Sequence, residues 1–185
     1  MASEKRTPDR SIAAGIAELI SDPAIEGLLA ESSTPETFCT ELAKSFKVRP
    51  TEVALLRLER GILKFIFPPE LRTVGTIPLS SSAVAAHTAT SKKLELFNSF
   101  NKVKHAGFFE SVKLGKSEEQ PDAAPIQKLI SAPILDPEGK ILGVIEICRK
   151  GFDSSCGPDF TLEDLQQLEL AAHVLAKAPF MASES

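Results

Sequence analysis

The segment LISAPILDPEGKILGVIEICRK, residues 129–150, decides the fold class of this chain. Two apolar runs flank a five-residue turn, in which Asp136, Pro137 and Gly139 are residue types that tight turns favour. The first run begins further back, at Ile126, and both runs are long enough to form strands. The segment therefore predicts an antiparallel β-hairpin near the end of the chain.

Weaker signals predict the elements before this hairpin. A helix is expected to begin at Thr34, since Thr34 can cap it and Pro35 occupies its first position. A second hairpin is expected within residues 51–67, with its turn at Arg60 and Gly61. Three elements are expected after this hairpin: a short strand within 73–80, a helix rich in small residues within 80–92 that a serine caps, and a strand within 94–100.

The closing helix has the clearest start. Thr161 and Asp164 are spaced as in a capping box, with Asp in place of the usual Glu or Gln. With helices at both ends and antiparallel hairpins between them, the order of elements predicts an α+β fold built on one antiparallel sheet. We expect the terminal helices to cover one face of this sheet and the irregular middle of the chain to cover the other.

Composition and charge exclude several classes of protein. The 185 residues are 43% hydrophobic and 25% charged with a net charge of -4, which gives no electrostatic reason to bind nucleic acid or an anionic membrane. The polar N-terminus shows no secretory signal, and no apolar run is long enough to cross a bilayer. Three cysteines without a CxxC pair favour free thiols, so we expect a cytoplasmic protein without a metal site.

Three segments carry a resemblance to a known family. Residues 129–150, the segment FTLEDLQQLELAAHVLA at 160–176 and, more loosely, IPLSSSAVAAHTATSKKLELFNSF at 77–100 resemble the corresponding parts of GAF domains. The resemblance covers roughly residues 33–178. It implies a central antiparallel sheet of about six strands, helices on one face and a small-molecule pocket on the other. GAF domains bind varied ligands and many only dimerise, so the resemblance leaves the ligand open.

The resemblance divides the chain into two parts. Residues 32–180 are expected to form the GAF-like domain, and residues 1–31 an N-terminal helical extension. The apolar positions within 10–31 need a partner surface, so we expect this extension to pack with the closing helix in a symmetric homodimer. No output module remains once the domain is placed, so a signal is expected to pass through the dimer or a signalling partner protein.

One motif at the junction of the last strand and last helix is similar to a signature of cyclic-nucleotide-binding GAF domains. At its positions this chain has Arg149, Lys150, Phe160, Asp164 and Leu165, of which Lys150, Phe160 and Asp164 match. The resemblance implies that these three residues form a structural clasp between strand and helix. The mismatches argue against a cyclic-nucleotide receptor.

The candidate ligand pocket combines charged residues inside apolar strands with a phenylalanine-rich middle segment. A charge inside a strand must face water or be paired, and Glu146 could contact a ligand or pair with Arg57. Apolar walls with a few polar groups are typical of ligand sites, although the phenylalanines could equally fill a core. The candidate pocket residues are Arg57, Phe65, Phe97, Asn98, Phe100, His105, Phe108, Phe109 and Glu146.

A thiol enzyme is the alternative function. Free methionine sulfoxide reductase is a GAF relative that works through cysteines, and Arg149 and Lys150 could lower the pKa of Cys148 or Cys156. The cysteines do not match that enzyme's positions, and structural thiols are the preferred interpretation. We therefore expect a non-catalytic sensory domain without a cofactor that binds an unknown small molecule; a degenerate domain that only assembles is the third possibility.

Overall fold

The computed structural model describes residues 34–73, 75–100, 124–153 and 155–182. Within these ranges the chain forms helices, a sheet and short 3-10 turns at Pro50–Glu52, Pro69–Leu71 and Pro179–Met181. The helices are α1 (Pro35–Phe46), α2 (Val84–Ser91) and α3 (Leu162–Leu175). The strands are β1 (Val53–Glu59), β2 (Ile62–Phe67), β3 (Thr76–Pro78), β4 (Glu95–Phe97), β5 (Ile126–Leu135) and β6 (Ile141–Lys150).

The six strands form one sheet in the order β3-β2-β1-β6-β5-β4, and every neighbouring pair is antiparallel. The predicted hairpin is confirmed, since β5 pairs with β6 from Ile126 opposite Lys150 to Leu135 opposite Ile141. In its turn, an Asp136 carboxylate oxygen accepts the main-chain N–H of Lys140 at 2.8 Å. The first hairpin is also confirmed, and β1 and β6 together form the centre of the sheet.

Alternation along the central strands separates two buried faces. On the α1–α3 face, Leu55, Ile145 and Ile147 pack with side chains of α1 and α3. On the α2 face, Leu56 and Val144 pack with the small residues of α2. This arrangement confirms the predicted α+β sheet with the terminal helices on one face.

The N-cap residues of two of the three helices are those that the sequence predicted. Thr34 is the N-cap of α1, and its side chain accepts a main-chain N–H of the first turn. Thr161 and Asp164 form the predicted capping box of α3. The predicted serine cap of α2 is wrong, because Ala83 is the N-cap; Ser81 instead accepts the N–H of Ala83 within the preceding turn, at 3.3 Å.

Three other expectations differ in extent or lie outside the described residues. The strand expected within 94–100 is shorter, and β4 covers only Glu95–Phe97. The helices expected within 10–31 and the helix or loop expected within 101–114 lie outside the described residues. Across the described ranges, no helix has the length and apolar character that a bilayer span requires.

Candidate functional site

A buried polar cluster interrupts the apolar α2 face at the centre of the sheet. Glu146 on β6 lies opposite Ser131 on β5, and the Ser131 hydroxyl is 3.3 Å from Glu146 Oε1. The Ser131 hydroxyl is also 2.8 Å from the hydroxyl of Thr88 on α2. Ser131 and Thr88 are fully buried and Glu146 is only 6% exposed. Three polar side chains from three different elements therefore meet where the surrounding residues are apolar.

Burial changes the acidity of Glu146. Loss of hydration raises the pKa of Glu146 to about 7. The hydrogen bond from Ser131 acts to lower this pKa, and the negative charge of Glu95 makes a smaller contribution that raises it. A carboxyl group with this pKa exchanges its proton near neutral pH, so it can donate or accept a hydrogen bond under physiological conditions.

The cluster continues to the protein surface through α2 and β4. The Thr88 hydroxyl lies 3.4 Å from an oxygen of Glu95, and the same oxygen contacts Nδ1 of His87. The His87 side chain is largely exposed, whereas Glu95 is mostly buried. A chain of polar contacts thus connects the buried carboxyl of Glu146 with an imidazole in solvent.

Counting hydrogens along this chain favours a protonated Glu146. Three contacts link Glu146 to Ser131, Ser131 to Thr88 and Thr88 to Glu95, but the two hydroxyl groups supply only two hydrogens. While Glu146 is ionised, Ser131 donates to it, and one of the two contacts of Thr88 then lacks a hydrogen. A proton on Glu146 supplies the missing hydrogen if Glu146 donates to Ser131, Ser131 to Thr88 and Thr88 to Glu95. Burial of the carboxyl and the hydrogen count point to the same protonation state.

Phenylalanine side chains from three parts of the chain belong to the same face. Phe65 and Phe100 are buried in its apolar core, and Phe97 packs against that core. The rings of Phe97 and Phe100 meet edge to face with their centroids 5.9 Å apart. Of the candidate pocket residues, the structure therefore brings Phe65, Phe97, Phe100 and Glu146 to one face of the sheet.

Arg57 and Asn98 do not join them. Strand alternation places Arg57 on the α1–α3 face, and Asn98, the residue after β4, bonds to Phe160 of the α1–α3 core. The Arg57 guanidinium donates to the carboxylate of Glu59 at 2.8 Å and to the carbonyl of Phe180 at 3.0 Å. The pairing of Arg57 with Glu146 that the sequence offered is thus corrected: the two side chains lie on opposite faces of the sheet. His105, Phe108 and Phe109 lie outside the described residues.

Asn98 holds the junction between the last strand and the last helix. Its amide accepts the main-chain N–H of Phe160 at 2.8 Å and donates to the carbonyl of Phe160 at 2.9 Å. The Phe160 ring is buried, and the guanidinium of Arg149 lies 4.6 Å from its centroid. Asn98 and Arg149 therefore fix Phe160 through its main chain and its ring respectively.

Of the three predicted clasp residues, Phe160 and Asp164 lie where the last strand meets the last helix. Phe160 lies at the junction, and Asp164 accepts the N–H of Thr161 at the start of α3. Lys150 follows Cys148 by two positions on β6, so its side chain lies on the opposite face from Phe160. The cation against the Phe160 ring is thus Arg149, and the structure does not bring Lys150 to the other two.

Sequence reasoning also missed a buried cation that stabilises the loop before α3. The ammonium group of Lys128 on β5 donates to the carbonyl of Gly157 at 2.7 Å and pairs with Asp159 at 2.8 Å. A charged residue within an apolar strand, such as Lys128, Arg57 or Glu146, is only a weak indication that its side chain is buried and paired. The sequence alone does not indicate which face such a charge occupies.

The three cysteines differ in burial, but each has a raised pKa. Cys39 in α1 and Cys148 in β6 are buried, and Cys156 is partly exposed in the loop. Loss of hydration is the main cause of the raised pKa of all three thiols. Lys150 acts to lower the pKa of Cys148, but desolvation outweighs it. The described environments favour protonated thiols at neutral pH.

Solved structures with the same fold come from proteins with several functions. The GAF domain of an Acinetobacter phosphoenolpyruvate-protein phosphotransferase is 12% identical, with a TM-score of 0.57 over 96% of this chain and 94% of that chain. The GAF domain of a two-component sensor histidine kinase from Bacillus halodurans is 18% identical, with a TM-score of 0.53 over 80% of this chain and 94% of that chain. At such identities the likeness shows the fold alone.

An enzyme shares this fold as well. A type II free methionine-R-sulfoxide reductase from Thermoplasma acidophilum is 16% identical, with a TM-score of 0.52 over 82% of this chain and 92% of that chain. No curated protein matches the chain. The family model of the GAF domain matches residues 36–178, which is most of the sequence. The chain therefore belongs to the GAF domain family, whose members are typically sensory or regulatory.

Proposed function

We propose that this chain is a non-catalytic domain that senses a small molecule on the α2 face of its sheet, in contact with Glu146. The observation that carries the proposal is the cluster of Glu146, Ser131 and Thr88 within an apolar face. A buried carboxyl group costs free energy that an apolar residue of similar size would not. A few polar groups set among apolar and aromatic walls are the usual composition of a ligand site.

The proposed output is a change in assembly. Residues 1–31 are proposed to pair with α3 in a homodimer, or a signalling partner protein is proposed to contact the domain. The sensor-kinase relative has the same fold, which supports a role in signalling but leaves the ligand and the partner open. A cytoplasmic location is part of the proposal, since unpaired cysteines are typical of a reducing compartment.

Two alternatives have less support. A thiol-dependent reductase would need an accessible thiolate, whereas burial raises the pKa of both Cys39 and Cys148. A domain that only assembles would have no use for a buried carboxyl group at the centre of its sheet, where an apolar residue would be more stable.

A thermal-shift screen of cyclic nucleotides, amino acids and tetrapyrroles tests the proposal. A ligand present at about 100 times its dissociation constant should add about 2.7 kcal/mol of apparent stability. We expect the shift to persist in Glu138→Gln, which changes an exposed turn residue, and to be lost in Glu146→Gln. A ligand that stabilises Glu146→Gln as strongly as the native protein would contradict the role of Glu146, and a screen without any shift would favour the assembly-only alternative.

A further inference from the structure

Five side chains that can each carry or pass a proton lead from the centre of the sheet to solvent. This polar chain consists of Glu146, Ser131, Thr88, Glu95 and His87. Its successive distances are 3.3 Å, 2.8 Å and 3.4 Å as far as Oε1 of Glu95, and the same Oε1 contacts Nδ1 of His87. The inner end is buried, whereas the side chain of His87 is 65% exposed. The polar chain therefore joins the interior to water, with each neighbouring pair in contact.

Two adjacent residues of α2 form the outer part of the polar chain. Neighbouring residues of a helix point about 100° apart, so Thr88 is buried against the sheet while His87 reaches solvent. Both contact the same oxygen of Glu95 on β4. One carboxylate oxygen therefore connects a buried hydroxyl with an exposed imidazole, the side chain that most readily changes its charge between about pH 5 and 8.

The other titratable groups around Glu146 are few among the residues that the structure describes. Those on its side of the sheet are His87 on α2, Glu95 on β4, and Cys148 and Lys150 further along β6. Next to Glu146, β1 places Ala54 and β5 places Ser131, neither of which carries a charge. The charge that acts on the pKa of Glu146 is that of Glu95, a member of the polar chain, and it raises this pKa.

The number of hydrogens in the polar chain determines how α2 is attached to the sheet. With a proton on Glu146, Ser131 donates to Thr88 and Thr88 donates to Glu95, so α2 has hydrogen bonds to both β5 and β4. With Glu146 ionised, Ser131 turns its hydrogen towards the carboxylate. The single hydrogen of Thr88 then serves either Ser131 or Glu95, and α2 loses one of the two bonds.

We propose that the polar chain is a proton relay between solvent and Glu146, and that it makes the attachment of α2 to the sheet depend on pH. A proton from water binds Nε2 of His87, and the hydrogen on Nδ1 passes through Oε1 of Glu95 to Thr88. Thr88 passes its own hydrogen to Ser131, and Ser131 passes its own to Glu146. One proton enters and one carboxylate is neutralised, and exchange with water at the exposed ring returns a hydrogen to Nδ1. The relay includes the carboxyl of the proposed sensing site but needs no ligand there.

NMR spectra of the full chain with ¹³C in the glutamate carboxyl groups test the relay. Glu146→Gln identifies the signal of Glu146 by its loss. In the native protein we expect one Glu146 signal that moves continuously with pH, because the relay exchanges the proton rapidly. Thr88→Val keeps the shape of the side chain but removes the hydroxyl, so separate signals of the protonated and ionised carboxyl should appear. Thr90→Val is the matched control, since the Thr90 hydroxyl donates to carbonyls within α2, and it should behave as the native protein does.

His87→Gln tests the outer end of the relay at an exposed position, where the substitution should not disturb folding. It removes the group that exchanges protons with water, so the two Glu146 signals should separate here as well. Imidazole added to the solution should restore the single moving signal in His87→Gln but not in Thr88→Val, where the relay is broken inside the protein. A Glu146 signal that moves as in the native protein in both variants would show another route of exchange and overturn the proposal.

Hydrogen exchange of the α2 amides, measured by mass spectrometry, tests the attachment of this helix. Glutamine at position 146 donates a hydrogen to Ser131 at every pH, as the protonated carboxyl does. The native protein and Glu146→Gln should therefore protect α2 equally at pH 5, and the native protein should protect it less at pH 8. Equal protection at pH 8 would overturn the dependence of α2 on the charge of Glu146. Because these measurements use no ligand, a screen that finds none would contradict the sensing function and leave the relay unaffected.

Discussion

Ser131 and Glu146 lie directly opposite each other at the centre of the sheet, with the hydroxyl of Ser131 3.3 Å from the carboxyl of Glu146. Both side chains are buried, and together with Thr88 they form the polar cluster of the α2 face. A sheet that needed only stability would place apolar side chains at such a central pair. This relationship therefore connects the fold to the proposed sensing function and to a measurable dependence on pH.

The contribution of Glu146 to the stability of the fold should fall as the pH rises from about 4.5 to 7. Burial raises the pKa of Glu146 from 4.5 to about 7, so the folded protein binds more protons than the unfolded chain in this window. The stabilisation is complete below the pKa that Glu146 has in the unfolded chain. It is lost as the pH rises through the pKa that Glu146 has in the folded protein. The loss amounts to about 3 kcal/mol at most. Urea unfolding of the native protein and Glu146→Gln across this range measures it.

The variant isolates the contribution of Glu146, because glutamine has a similar shape and does not titrate. Glu146→Gln should approach or exceed the native protein in stability at pH 8 and lose this advantage at pH 5. Glu138→Gln, in the exposed turn between β5 and β6, should follow the native curve. Parallel curves for the native protein and Glu146→Gln would show that this carboxyl has the same pKa in both states.

Asn98→Ala should destabilise the junction between β6 and α3. Its amide makes both hydrogen bonds to the main chain of Phe160, and truncation leaves a buried N–H and carbonyl without these partners. The expected cost is about 1–3 kcal/mol in the free energy of unfolding, measured with urea. Ser80→Ala, at an exposed position, serves as the control and should change stability by less than about 0.5 kcal/mol. A value for Asn98→Ala within the control's range would show that Asn98 does not hold Phe160.

Gly143→Ala should be far more damaging than Gly139→Ala. A Cβ atom at Gly143 would lie 2.0 Å from the carbonyl oxygen of Leu56 on the neighbouring strand and 2.7 Å from the Met181 side chain. At Gly139 the space is open, and only its positive φ of 80° opposes a side chain, which costs about 1–2 kcal/mol. Thermal unfolding compares the two. Similar melting temperatures would contradict the close approach of β1 and β6 at Gly143.

The three thiols should react slowly and unequally in the folded protein. Burial raises the pKa of Cys39 and Cys148 and removes both from solvent, so neither should react with a thiol reagent at pH 7.5 until the protein unfolds. Cys156 is partly exposed but also has a raised pKa, so it should react more slowly than free cysteine. Mass spectrometry after timed alkylation identifies each site. Fast modification of Cys148 would revive the reductase alternative.

The full chain should form a homodimer that depends on residues 1–31. The sequence predicts an apolar helical face in this segment, which needs a partner surface such as that of α3. Light scattering at micromolar concentration should give twice the chain mass for the full chain and a smaller particle after deletion of residues 1–31. A monomer with residues 1–31 intact would contradict the predicted assembly.

Short sequence patterns predicted most of the fold. Asp136 and Gly139 predicted the hairpin of β5 and β6, and Thr161 with Asp164 predicted the start of α3, because turns and caps depend on residues close together in sequence. The cap of α2 was harder, since Ser80, Ser81 and Ser82 offered three candidates and the helix begins after all of them.

The sequence predicted only part of the candidate site. The burial of a side chain, and the face of the sheet on which it lies, depend on the pairing of strands that are far apart in sequence. The alternation within β6 indicated that Glu146 shares a face with Val144, but not that Ser131 and Thr88 would meet it. Arg57 and Asn98 were expected in the pocket, but Arg57 lies on the other face of the sheet and Asn98 bonds to Phe160.

The sequence by itself determined the class of fold, the two hairpins, the closing helix and the resemblance to GAF domains, since each rests on patterns a few residues long. Only the tertiary structure decided which cation meets Phe160: Arg149 and Lys150 are neighbours on β6, and adjacent strand residues point to opposite faces.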